Sequence, residues 1–193
     1  MKAAMECFLG DDYHRVTTRQ IAAAAGANIS MIRYYFGNKE GLYEEMIRQT
    51  MQPLLDVFNQ TRLSSGSGFA DFFKLYYHTM RKNPRFPALI VKVLALNHGP
   101  GKQFIHQLMQ QGKSRGYKKV DELKRSGQID SKIDPDIFRI AFVSLAMMPM
   151  LLKRVFEEEM GREIGVKFLE ELAEFNGRLF SKGLLSWERD ETS

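Results

Sequence analysis

Thr17 to Met46 reads TTRQIAAAAGANISMIRYYFGNKEGLYEEM. Thr17 is a helix N-cap, because its hydroxyl can accept from an unpaired backbone N–H two or three residues on. Ile21 and the run Ala22 to Ala25 make a thin helix that a neighbour can approach closely, and Gly26 ends it. Asn28 is a second N-cap, and Ile32 and Phe36 fall one turn apart on one face of the helix that follows. Gly37-Asn38 breaks that helix and Lys39-Glu40 opens a longer one through Leu42, Tyr43 and Met46. Two short helices joined by a glycine-containing turn form a helix-turn-helix, whose second helix can enter a DNA major groove.

These residues resemble the N-terminal DNA-binding domain of the TetR family of bacterial transcriptional regulators. The resemblance rests on Thr17, Arg19, Ile21-Ala22, Ala25-Gly26, Ile32, Tyr35-Phe36, Lys39-Glu40 and Leu42, in order and at the family's spacing. Ala27 stands where the family has valine, Asn28 where it has a serine cap, and Arg33 where it has tyrosine. Asp12 stands where the family has glycine, with Gly10 nearby to supply a turn. Ala3 to Phe8 reads as the end of a first helix, with Ala4 and Phe8 facing Ile21 and Phe36. The family carries a basic arm ahead of this helix, so the sequence as given is expected to start inside a longer one.

The resemblance implies a DNA surface of Thr17, Thr18, Arg19, Asn28, Ser30, Met31, Arg33, Tyr34, Tyr35 and Lys39. Arg33 is suited to bidentate contact with guanine. Thr17 to Arg19, at a helix start, suit phosphate oxygens, and Tyr35 and Lys39 match phosphate-contacting positions of the family.

Composition sets the outer limits. The 193 residues carry 44% hydrophobic and 26% charged side chains, ordinary for a globular protein with one or two domains. The longest apolar stretch, Ile140 to Leu152, is interrupted by Ser144 and Pro149, short of the roughly 18–20 residues that span a bilayer. The first residues lack the apolar segment of a signal peptide, and the single cysteine, Cys7, leaves no disulfide or zinc cluster. A cytoplasmic location without membrane association is expected. The net charge of +5 favours a polyanionic partner, yet it is unevenly placed. In residues 1–52, Lys2, Arg15, Arg19, Arg33, Lys39 and Arg48 are balanced by Glu6, Asp11, Asp12, Glu40, Glu44 and Glu45. The basic excess lies in residues 81–125, including the segment Lys113 to Lys119, which reads as a solvated helix or as a trap for an anion.

The rest of the chain reads as helical. A helix is expected from Lys39 to about Gln60, with Pro53 either kinking it as a mechanical joint or starting a separate helix. Ser64 to Gly68 is a flexible break. Helices follow over Phe69 to Met80, Pro87 to Asn97 and Lys102 to about Arg125. Asp134-Pro135 caps a further one running through Ile137 to Phe156, and a last begins near Arg162. The expectation is an all-α protein: a three-helix helix-turn-helix domain over 1–47 and a helical ligand-binding and dimerisation domain over 48–193.

The family buries a small-molecule pocket among its middle helices and dimerises through the last two. Phe73, Tyr76, Tyr77, Met80, Phe104, Met109, Phe138, Phe142 and Met147 are the candidate pocket residues, each open to the alternative reading of plain core. His78, His98 and His106 show no ligand pair at one-turn spacing, and Glu157 to Glu159 reads as a solvated face. No metal, cofactor or catalytic residue is expected. The reading is a homodimeric, effector-responsive regulator of a double-stranded DNA operator. The alternative is a helical small-molecule-binding protein with weakened or lost DNA binding.

Overall fold

The computed structural model describes residues 1–60, 68–95 and 101–185, and among them it holds ten α-helices and no strand. They are α1 (Lys2–Gly10), α2 (Thr18–Ala25), α3 (Ile29–Phe36), α4 (Lys39–Gln60), α5 (Gly68–Lys82), α6 (Phe86–Ala95), α7 (Gly101–Arg125), α8 (Pro135–Leu151), α9 (Lys153–Met160) and α10 (Val166–Leu185). Ser64 to Ser67, expected as a flexible break, lies outside the described residues. Two compact units result: Met1–Pro53 with Arg85–Gln110, and Leu54–Pro84 with Gln111–Ser193. The chain passes between them at Pro53 inside α4, after Pro84, and at Gln110 inside α7. The sequence predicts a single boundary after residue 47; the second pass through the first unit is additional to it.

In the first unit, Ala4, Phe8, Ile21, Ala22, Ile32, Leu42, Met46 and Ile47 are buried together, the positions the helical spacing marks as inward. Phe8 meets Tyr43 edge-on at 4.7 Å and stacks on Tyr13 at 5.7 Å, and Phe36 is half-buried. Lys92 on α6 and Arg85 just before it tie this helix to α1 and the residue after it. The Lys92 ammonium donates to the carbonyls of Leu9 and Asp11, both at 2.9 Å, and Arg85 pairs with Glu6 at 2.8 Å.

The second unit is built on α5, which packs along α10 and against α8. Phe69, Phe72, Phe73, Phe138, Phe142 and Phe180 form one aromatic cluster with ring centroids 4.6–6.5 Å apart. At the α5–α10 crossing Ala70 and Ala173 are buried, and a Cβ on Gly177 would fall 2.6 Å from Ala70. Small side chains let the two backbones approach.

Two boundaries differ from the sequence expectation. The helix predicted from Asp134 through Phe156 ends at Leu151, and α9 leaves at a 66° bend. Pro149 is the cause: without an N–H it cannot bond the Leu145 carbonyl, which weakens the last turn of α8. The last helix starts at Val166, not near Arg162. Before it, Gly161 turns the chain at φ 63°, and the Glu157 carboxylate accepts from the Ile164 N–H at 2.8 Å while pairing with Lys153. Glu157 is thus a structural link, not merely part of a solvated face.

Gly177→Ala should lower stability by about 1–3 kcal/mol, the cost of overpacking. In an unconstrained helix the same change stabilises by up to about 1 kcal/mol. Chemical denaturation gives the sign, and Ala70→Gly in the same chain should recover part of the loss.

Candidate functional site

Helix α2 begins with a capping box. The Thr17 hydroxyl accepts from the Gln20 N–H, and the Gln20 side-chain oxygen accepts from the Thr17 N–H at 2.7 Å. The chain turns at Gly26, φ 59°, a left-handed conformation that costs glycine nothing. Asn28 then caps α3, its side-chain oxygen accepting from the Ser30 N–H at 2.9 Å and the Ser30 hydroxyl at 2.8 Å. Gly37, at φ 75°, ends α3. Neither α2 nor α3 has an acidic residue in its first turn, so the positive ends of both helix dipoles stay uncompensated, as a phosphate would require.

Ile32 alone anchors α3 fully in the core. Helical spacing puts Ser30 and Tyr34 opposite Ile32, with Met31 and Arg33 on the two flanks and Tyr35 nearer to Ile32. Tyr34 is 82% exposed and Tyr35 65%, with their rings edge-to-face at 4.9 Å. Two aromatics held in water on a rigid, doubly capped helix mark a surface built for a partner. Arg19 and Arg33 are exposed, and Thr18 is half-buried beside them. Ile29, also exposed, joins this surface although the sequence reading passes over it.

Lys39, for which the resemblance implies a phosphate contact, is engaged within the chain. Its ammonium donates to the carbonyls of Tyr13 at 2.9 Å and Val16 at 3.1 Å and lies 4.3 Å from the centre of the Tyr13 ring. Two of its three N–H donors are spent on the loop that positions α2. Those carbonyls lie far from Lys39 in sequence, so nothing local in the sequence signals the contact. The Thr17–Gln20 box, by contrast, is legible from spacing alone.

The expected pocket residues divide. Phe73, Tyr76, Tyr77, Met80, Phe138 and Phe142 are buried in the second unit, their rings packed on one another, and Met147 is half-buried there. Met109 is 49% exposed and belongs to the first unit. The Phe104 side chain lies outside the described residues. Two tyrosines side by side have opposite fates. The Tyr77 hydroxyl donates to the Leu145 carbonyl at 2.8 Å, the acceptor freed by Pro149, and accepts from the Asn176 amide at 2.9 Å. The Tyr76 hydroxyl is equally buried and has no partner among the described residues. Such a hydroxyl costs about 1–3 kcal/mol. Burial pushes both phenols well above their ordinary range, so both stay neutral. On the outer side of α5 and α10 a half-open groove of about 380 Å³ is lined by residues that include Leu75, Tyr77, His78, Arg81 and Leu169. Among the described residues no His, Cys, Asp and Glu side chains converge as metal ligands.

With this geometry in place, comparison with known proteins is direct. Residues 1–46 match the bacterial regulatory proteins of the tetR family. That match covers α1, α2, α3 and the start of α4. Over 41 residues the chain is 54% identical to the HTH-type transcriptional dual regulator CecR of Shigella flexneri, a match spanning 21% of this chain and 18% of that protein. The whole fold is shared with solved structures. A putative fatty acid metabolism regulator from Clostridium perfringens superposes at a TM-score of 0.70 with 16% identity, covering 96% of this chain and 98% of that one. FadR from Bacillus subtilis, in complex with stearoyl-CoA, gives 0.65 with 19% identity over 95% and 96%. PfmR from Thermus thermophilus gives 0.69 with 15% identity over 97% and 95%.

Lys39→Met should lower unfolding stability by about 1–3 kcal/mol through loss of two charge-assisted bonds to carbonyls. Arg33→Ala, exposed and on the rim, should leave stability within about 0.5 kcal/mol. Thermal unfolding of the two variants separates a structural lysine from a surface contact.

Proposed function

We propose that this protein is a member of the TetR family, a homodimeric, sequence-specific DNA-binding transcriptional regulator whose affinity for its operator responds to a small molecule. The observation that carries the reading is the exposed, capped helix α3, which offers Tyr34, Tyr35, Ser30, Met31 and Arg33 to a partner from a single core anchor. Its shape and polar and aromatic content suit the major groove, with Arg33 and Ser30 available to base edges. The first turns of α2 and α3 take phosphates, and Thr18 and Arg19 stand beside them. The likeness to CecR in this region supports the same reading.

Dimerisation is favoured by two apolar faces left open on the second unit. On α8, Ile137, Ile140 and Met148 recur on the side opposite the buried Phe138, Phe142 and Ala146, and Ile140 is 63% exposed. On α10, Phe175 and Leu179 stand one turn apart at 57% and 52% exposure. A large patch of this kind is unfavourable in water and fits a second copy of the same chain, which would bring two copies of α3 to a near-palindromic site. Effector response would follow from differential affinity for two states. Helix α4 runs without interruption through Pro53 from the first unit into the second and is the covalent path for such coupling. The fold shared with FadR, which was solved in complex with stearoyl-CoA, supports response to a small molecule.

Selection from a random duplex pool should enrich a palindrome whose half-site centres lie about 34–36 Å apart or a multiple of it. Tyr34→Ala should weaken that site about tenfold or more while leaving the fold intact, and Arg33→Ala should relax preference at one position of each half-site. Failure to enrich any sequence would overturn operator binding and leave a small-molecule-binding protein. Ile140→Asp with Phe175→Asp should convert the dimer to monomer in sedimentation.

A further inference from the structure

Helix α3 presents two different strips to its surroundings. Ser30 and Arg33, three residues apart and both exposed, form a polar one. Met31, Tyr34 and Tyr35, at spacings of three and four residues, form the other, and all three are exposed. Met31 is 46% exposed on a helix whose buried anchor is Ile32, so core packing does not account for a large apolar side chain there. The Tyr34 and Tyr35 rings meet edge-to-face at 4.9 Å, which keeps the strip continuous along one flank. Apolar surface held in water in this way favours a partner with apolar surface of its own.

We infer that Met31 is a specificity-determining residue of the DNA surface, and that it reads the C5-methyl group of a thymine, with the Tyr34 ring closing the contact from the next turn. This deepens the proposal that α3 enters a major groove and rests on it. Guanine, cytosine and adenine present hydrogen-bonding groups on that edge, and thymine alone adds a methyl group. A thioether has no donor and is at most a weak acceptor, so Met31 has little to offer a phosphate or an amino group. Its flexible, polarisable chain suits a methyl. The polar strip supplies what Met31 lacks, because the Arg33 guanidinium carries the donors that guanine accepts. Each half-site therefore holds a thymine whose methyl group is felt separately from the guanine contact.

The test takes the full chain and the duplex enriched from the random pool, and replaces each thymine in turn by deoxyuridine. That exchange removes one methyl group and leaves every hydrogen-bonding group in place. Affinity at fixed salt should fall about 3- to 5-fold at one thymine of a half-site, the worth of one buried methyl, and about tenfold or more when its symmetry mate is changed as well. Met31→Ala should erase that difference, binding thymine and deoxyuridine duplexes alike. Its melting temperature and its slope of log affinity on log salt should match those of the intact protein, as expected for a side chain that touches neither core nor phosphate. Arg33→Ala should keep the thymine preference, because Arg33 lies on the opposite flank of α3. Equal affinity of the intact protein for every deoxyuridine duplex, or a preference that survives Met31→Ala, overturns the assignment and leaves operator binding standing. A pool that enriches no duplex removes operator binding itself, and the methyl contact with it.

Discussion

The second unit depends on a hydrogen bond that repairs a helix. Pro149 withholds the N–H that would normally bond the Leu145 carbonyl, and the Tyr77 hydroxyl supplies a donor from α5 in its place. Asn176 on α10 then donates to the same hydroxyl oxygen. A buried chain of three polar groups thereby links α10, α5 and α8, the helices that also share the phenylalanine cluster. Partial networks of this sort are costly and complete ones specify a unique arrangement. The crossing of α5 and α10 at Ala70 and Gly177 brings Asn176 within reach of Tyr77, so the small-residue contact and the polar chain require each other.

The first unit solves a comparable problem with cations. The last turn of α1 and the segment between α1 and α2 carry carbonyls that neither helix satisfies. Lys39, from the start of α4, holds those of Tyr13 and Val16; Lys92, from α6, holds those of Leu9 and Asp11. Each ammonium lies where it neutralises carbonyl dipoles, and Lys39 also sits over the Tyr13 ring. The orientation of α2, and through the Gly26 turn that of α3, is therefore set by residues distant in sequence. A helix presented so rigidly loses little freedom when it meets a partner, which favours affinity at this surface.

How much of this is legible in the sequence follows from the range of the interactions. The Thr17 and Asn28 caps, the Gly26 and Gly37 breaks, the inward Ile21 and Ile32 and the Asp134-Pro135 start are all determined within about four residues, and the sequence states them. The resemblance implies the DNA surface of α3, and Tyr34 and Tyr35 are exposed there. Lys39 escapes a local reading because its partners lie 23 and 26 residues away and a lysine at a helix start looks free. The clustering of α6 with the first unit has no local signal at all. The bend after Leu151 does have one, Pro149, whose effect is outweighed in the sequence by the apolar run around it. Spacing can mark Tyr76 and Tyr77 as inward but cannot separate a satisfied hydroxyl from an orphaned one.

Charge gives the last lesson in what position adds to composition. The basic excess in residues 81–125 suggests a polyanion site there, while the first 52 residues are balanced. The structure redistributes that weight. Arg85 pairs with Glu6, Lys92 caps carbonyls, Lys113 lies 5.2 Å from the Tyr117 ring centre, Lys119 pairs with Glu122 and Arg125 bonds the Asp121 carbonyl. Much of the excess is thus engaged within the chain, though exposed pairs such as Lys119–Glu122 contribute little to stability. Within residues 1–52, Arg19 and Arg33 are exposed beside two uncompensated helix N-termini, whereas Glu45 pairs with Arg48. A small local field at the right helix ends favours phosphate contact more than a larger charge already matched elsewhere.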